Sequence, residues 1–217
     1  RKGGFALTYP TIASVIKYPR SSVGTKKFGY FQQDKDTFVE IMRKLNIVEL
    51  SEGVYSRYPL VYLVEAADDI CYQIMDIEDA CRLGILSYDE TVEMLCDFFN
   101  EIDDARLFEN RDKVFDYVTD KHERIAYLRS IVIGRLVCKC SEIFWNNREA
   151  ILSGTFKGSL ISHLPNQELK AIERISRRAI KDIYKHQSVV EVEISGFKIM
   201  GTLLDKFIQA LEKPDLY

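Results

Sequence analysis

The chain has 217 residues, 47% of them hydrophobic, enough to bury a substantial core as one domain or as one domain with an appendage. Its 30 basic and 33 acidic residues leave a net charge of −3, so no whole-chain field argues for nucleic acid or an anionic membrane, and only a local basic patch stays open. No apolar run approaches the ~20 residues that cross a bilayer. The cysteines, Cys71, Cys81, Cys96, Cys138 and Cys140, are odd in number, which fits thiols in a reducing compartment; a soluble, cytoplasmic protein is expected. Cys138 and Cys140 have neither C-x-x-C spacing nor a second pair, which argues against zinc.

In chain order, Gly3 and Gly4 form a flexible entry. Leu7, Ile12, Val15 and Ile16, with Pro10 in a first turn, then predict a short helix ending near Lys17. Residues 21–33 read as a loop, 36–45 as a helix spaced by Phe38, Ile41, Met42 and Leu45, and 51–60 as a break. After the stretch 65–85, Ser87 and Glu90 form a capping box opening a helix through Val92, Leu95, Cys96 and Phe99. Residues 103–110 read as a polar connection. Helical periodicity then runs over 114–140, with Arg124, Arg129 and Arg135 interleaved among its apolar positions. A helix is expected to continue over 145–153, with a loop at 154–165 and an amphipathic basic helix at 167–184 carrying Arg174, Arg177, Arg178 and Lys181; such faces are most often solvated. The β signal lies at 189–200. There Val190, Val192 and Ile194 alternate with Glu191, Glu193 and Ser195 around Gly196, predicting two short strands before a helix at 202–211. The expected fold is all-α with one small β-hairpin near the C-terminal end.

The stretch EAADDICYQIMDIEDACRLGI, residues 65–85, organises the rest. Its apolar residues spread around most of a helical circumference, the pattern of a helix packed on nearly all sides. At roughly 100° per residue, Glu65, Asp68, Tyr72, Asp76 and Asp79 fall within an arc of roughly 80°, with Asp69 at its edge. Desolvating an unpaired carboxylate costs several kcal/mol. The stripe therefore needs a cation, donors, a polar cavity or neighbouring Arg and Lys side chains, unless it is simply a solvated face. Asp68, Tyr72 and Asp76 form an i, i+4, i+8 ladder with a phenol between two carboxylates.

The run YPLVYLVEAADDICYQIMDIEDACRLGI, with its EAADDI-x-Y core, D-x-E-D and R-x-G-I, closely resembles the last metal-ligand helix of the deoxyguanosinetriphosphate triphosphohydrolases, which are HD-domain phosphohydrolases. The likeness covers nearly the whole chain and implies an HD-domain-like helical fold, with HD-core helices over about 1–140 and C-terminal helices and hairpin over about 141–217. That family binds a divalent metal (Mg, Mn or Fe) through a His, a His-Asp pair and a distant Asp. The resemblance makes Asp68 the distant Asp. His122, His163 and His186 are followed by Glu, Leu and Gln, so this sequence holds no His-Asp dipeptide, and none of the three is given a metal or catalytic role. The other ligands and the catalytic acid or base are expected upstream of Arg1. The chain reads as a C-terminal piece, or as one whose upstream part is absent, and is expected to be inactive alone.

The resemblance further implies hydrolysis of dGTP, or other dNTPs, to deoxynucleoside and inorganic triphosphate. Tyr72 and Asp76 would meet the sugar, the ring leaving no room for a 2′-hydroxyl and Asp76 accepting from the 3′-hydroxyl. Lys17 and Tyr18 match the family's substrate-reaching K-Y-P element, although a lysine before a proline also serves as a dipole partner and helix stop. Arg129 matches phosphate-facing positions, with pairing to the acidic stripe or snorkelling to the surface as the alternatives. Glu191 and Glu193 enter as substrate candidates through the hairpin. A homo-oligomer and single-stranded DNA are partners the family implies. The competing expectation is a non-catalytic helical assembly or nucleic-acid-binding module using the basic face around residues 174–181.

Overall fold

The protein, seen as a computed structural model, is described over residues 6–213; the entry at Gly3 and Gly4 lies outside the described residues. Helix α1 (Tyr9–Ser14) opens where Thr8 accepts from the Thr11 N–H, with Pro10 in its first turn, and it ends short of Lys17. Helix α2 (Lys35–Lys44) turns Phe38, Ile41 and Met42 inward, where Ala13 and Tyr30 complete a small apolar cluster.

Between these and the main body lies the single two-stranded sheet of the described residues. Strand β1 (Glu49–Ser51) pairs antiparallel with β2 (Val54–Tyr55), Ser51 opposite Val54, so Glu52 and Gly53 make the turn. Gly53 takes the second turn position with a positive φ of 69°, which glycine adopts without strain. The segment expected to be only a break therefore holds the hairpin.

The body is built on two long helices, α3 (Pro59–Arg82) and α6 (Lys121–Asn146), which pack along each other. Ala66, Ile70, Ile74 and Ile77 of α3 share one buried cluster with Leu128, Val132 and Leu136 of α6. Helix α3 stops at Gly84, whose φ of 71° closes the end while the Ile85 N–H returns to the Ala80 carbonyl at 2.9 Å. Helix α4 (Tyr88–Cys96) begins at the anticipated cap, the Glu90 N–H donating to Ser87 Oγ at 3.2 Å. Helix α5 (Ala105–Tyr117) occupies much of the expected polar connection. A break follows, and Asp120 then caps α6 by accepting from the N–H groups of His122 and Glu123 at 2.7 and 3.0 Å, which holds its carboxyl below the ordinary range. After α7 (Arg148–Leu152), helix α8 (Asn166–Arg178) covers α3 and α4, and a π-helical turn, Ala179–Ile183, leads to Tyr184.

The last element is one helix, α9 (Gln187–Glu212). This corrects the position of the hairpin: there are no strands at 189–200. The alternation of Val190, Val192 and Ile194 is real but brief, whereas Ile194, Phe197, Gly201, Leu204, Ile208 and Leu211 keep a spacing of three and four to the end. The longer period wins and carries Gly196 within the helix. The all-α class with one small hairpin holds. Among the described residues, no helix is long and apolar enough to cross a membrane.

Candidate functional site

Helix α3 is two-sided, not packed nearly all round. Val61, Tyr62, Ala66, Ile70, Ile74 and Ile77 are buried, but Val64, Asp68, Cys71, Tyr72, Met75 and Asp79 are exposed, Tyr72 at 60%. The apolar residues beyond a normal ~100° stripe stand on this open side and interleave with the acidic arc. The ladder of Asp68, Tyr72 and Asp76 therefore borders open space rather than core.

At the N-terminal end of the arc, Glu65 is clamped by two cations. Lys17 Nζ lies 2.9 Å from one carboxylate oxygen and Arg57 2.9 Å from the other, while Arg57 Nε donates to the Lys17 carbonyl at 3.0 Å. The hydrogen bond to Glu65 holds the Lys17 ammonium above its ordinary pKa. Asp69, one residue beyond Asp68, has its carboxyl pushed up by burial; Lys17 opposes this and the Glu65 and Asp68 charges reinforce it. A cleft of about 310 Å³ opens here, lined by Lys17, Tyr18, Arg20, Arg57, Tyr62 and Phe156 among others. The Tyr18 ring has the cationic groups of Lys17, Arg20 and Lys27 at 6.0, 5.8 and 5.3 Å. Lys27 belongs to the segment 21–33, which the sequence marks only as a loop. Gly29 lets that loop approach: a Cβ there would lie 2.5 Å from the Tyr18 carbonyl oxygen.

At the other end, the Tyr184 hydroxyl donates to Asp76 Oδ2 at 2.7 Å. Burial raises the Asp76 carboxyl pKa, the Tyr184 hydrogen bond pulls it back, and Asp79 raises it further. The Tyr184 phenol is held far above its ordinary value, by burial first and then by Asp76 and Tyr72. Sequence reasoning missed Tyr184, which joins α3 from 108 residues away. Its only sequence signal is an aromatic residue closing an amphipathic run.

The other candidates do not gather on this line. Arg129 binds Glu78, a 4% exposed carboxylate that Arg82 also reaches at 2.7 Å. Glu78 lies well outside the acidic arc, so Arg129 does not pair with the stripe; it neutralises a buried acid between α3 and α6. Glu191 and Glu193 are exposed on α9, Glu191 accepting from Gln187 Nε2 at 2.7 Å, so the hairpin that suggested them is absent. Half of the basic face is closely paired: Arg174 meets Glu93 and Asp97, and Arg178 meets Glu90 and Asp182, while Arg177 and Lys181 are exposed. Among the described residues, no three His, Cys, Asp or Glu side chains converge as a metal-binding group, at Asp68 or elsewhere.

These residues define a class: a helical protein with a carboxylate–phenol ladder on one open helix face, a basic aromatic corner at one end and a second phenol at the other. No protein-family model matches the chain. It is 34% identical to a Synechocystis deoxyguanosinetriphosphate triphosphohydrolase-like protein, over 98% of this chain and 49% of that protein. It is 33% identical to a Listeria monocytogenes protein of the same description, over 96% and 45% respectively. A Yersinia pestis deoxyguanosinetriphosphate triphosphohydrolase is 27% identical over 96% of the chain and 44% of its own length. The resemblance to the deoxyguanosinetriphosphate triphosphohydrolase family thus extends over nearly the whole chain, and the chain spans about half the length of these curated relatives.

Proposed function

We propose that this chain is the sugar- and phosphate-binding part of a deoxynucleoside triphosphate triphosphohydrolase acting on dGTP, other dNTPs being further candidates. The observation that carries the reading is the ladder of Asp68, Tyr72 and Asp76 on an open helix face, with Tyr184 bonded to its far end. In the reaction, water adds to the α-phosphorus and the 5′-oxygen leaves with a proton as the deoxynucleoside, releasing inorganic triphosphate. Tyr72 sits one helical turn, roughly 6 Å, from Asp68 and is assigned to the C2′ side of the sugar, where its ring would exclude a 2′-hydroxyl. Asp76, one turn further, accepts from the 3′-hydroxyl, and Tyr184 holds its carboxylate in place. Lys17, which already shares its charge with Glu65, stands with Tyr18 and Lys27 in the cationic corner suited to the triphosphate. The relatives' printed names support the substrate class.

Asp68 is the residue of this chain assigned to a divalent cation, Mg, Mn or Fe. The donor set present does not by itself fit a metal, because no second and third ligand stand beside Asp68 among the described residues. No step is therefore routed through one. A homo-oligomer and single-stranded DNA remain partners proposed from the family. The rival nucleic-acid module is less well supported, since Arg174 and Arg178 of that face are already paired with Glu90, Glu93, Asp97 and Asp182.

The test is a dNTP and NTP hydrolysis panel, with anaerobic metal analysis, on a polypeptide extended to the relatives' length. Triphosphate release from dGTP is expected. A panel with no triphosphate release from any nucleotide overturns the reading.

A further inference from the structure

Helix α9 is 26 residues long, and none of them is buried. At 1.5 Å per residue it is a rod of about 39 Å, yet its composition is not that of a solvated rod. At roughly 100° per residue, Lys198, Asp205, Gln209, Glu191, Thr202 and Lys206 occupy an arc of roughly 100°. The residues on the rest of the circumference span roughly 220° and are apolar but for Glu193 and the terminal Glu212, more than twice the stripe by which a surface helix packs. Val192, Ile199 and Leu203 centre on one flank. Ile194, Phe197 and Ile208 centre on another, roughly 170° away, with Phe197 86% exposed.

The width of that arc decides what covers the helix. A second copy pairing its own α9 with this one would cover a single stripe and leave the opposite flank in water. Two nearly opposed apolar flanks need packing elements on both sides, as in the interior of a domain. The curated relatives carry about as much chain again beyond the part matched here, 49% of the Synechocystis protein being spanned. We infer that α9 is a core helix of the longer protein, sandwiched on its two flanks by apolar surfaces of the polypeptide that this chain does not span, with only its narrow polar arc in contact with water. The inference rests on the helix's own pattern and not on the proposed reaction.

Hydrogen–deuterium exchange read by mass spectrometry tests this on the 217-residue chain and on a polypeptide of the relatives' length, each over a range of concentrations. Expected is exchange of residues 190–211 at least about 100-fold slower in the long form at every concentration, with no such protection in the 217-residue chain. In the long form, Leu203→Ser and Phe197→Ser, one on each flank, each lower the Tm without changing the oligomeric state. Concentration-dependent protection of the 217-residue chain points to a second copy and overturns the inference. Concentration-independent protection in that chain, or no protection in either form, overturns it as well.

Discussion

The Tyr184 hydroxyl and the Asp76 carboxylate, 2.7 Å apart, tie the end of the π-helical turn to the middle of α3. A π turn adds a residue to the helical ring and is frequent at functional positions; here it falls directly before the phenol that meets the ladder. The bond also sets a titration. Asp76 has a folded-state pKa above its ordinary value, burial being the largest cause, so the folded state binds the proton more tightly and Asp76 opposes stability increasingly as pH rises through that shifted pKa. Tyr184→Phe removes the one contribution that lowers it. The expected result is an Asp76 carboxyl titrating at higher pH in the variant than in the wild type, read by carboxyl carbon chemical shifts; an unchanged or lower midpoint contradicts the bond.

Sugar selectivity is expected to reside in the next residues along the same face. In a polypeptide of the relatives' length, Tyr72→Ala should narrow the preference for dGTP over GTP, because the exposed ring is the volume assigned to exclude a 2′-hydroxyl. Asp76→Asn should mainly weaken substrates that carry a 3′-hydroxyl, since it exchanges part of an acceptor for a donor. A steric exclusion worth ~1–3 kcal/mol corresponds to a change of ~10–200-fold in the ratio of kcat/KM values. If both variants keep wild-type discrimination, the ladder does not read the sugar.

Arg129 is expected to act on stability and not on substrate. Its partner Glu78 is buried, and Arg82 remains on the other carboxylate oxygen when Arg129 is removed. Losing one charge-assisted bond on a buried carboxylate costs about 1.5–3 kcal/mol, so Arg129→Ala should lower the denaturant midpoint by that equivalent. KM for dGTP in the long form should stay within about twofold. A large KM rise without loss of stability would return Arg129 to the phosphate-binding set.

What the sequence disclosed follows its range. Helix α2 and helix α4, with its Ser87 cap, were legible because apolar spacing and caps are local; α6 was legible in part, since the periodicity over 114–140 runs through the break between α5 and α6, and the ladder was legible because its three members share one helix. Tyr184 was not, since its partner is fixed by the packing of α8 on α3. The hairpin was misplaced for the opposite reason: β1 and β2, of three and two residues, are too short to show alternation, while α9 alternates briefly inside a longer helical period. Apolar residues around most of α3 predict burial on nearly all sides, yet those on its open side lack cover among the described residues; α9 shows the same excess of apolar surface.

The last prediction concerns the cationic corner, where one glycine controls the approach of a loop. Gly29 lies so close to the backbone that carries Tyr18 that a Cβ would sit 2.5 Å from the Tyr18 carbonyl oxygen and 2.5 Å from Ile16 Cγ2. Backbone atoms cannot swing aside as a side-chain tip does, so Gly29→Ala must push the loop and the Lys17-Tyr18 segment apart. That separation withdraws Lys27 from the Tyr18 ring, now 5.3 Å away, and loosens one wall of the cleft without touching Asp68, Tyr72 or Asp76. Lys27→Met removes the charge alone. If Lys17, Tyr18 and Lys27 hold the triphosphate, both variants in the long form should raise KM for dGTP at low salt by about tenfold, roughly 1.4 kcal/mol, and flatten its salt dependence, while the ratio of dGTP to GTP use stays at the wild-type value. A change in that ratio, with KM unaltered, would place the triphosphate elsewhere and make the corner a structural support for α3.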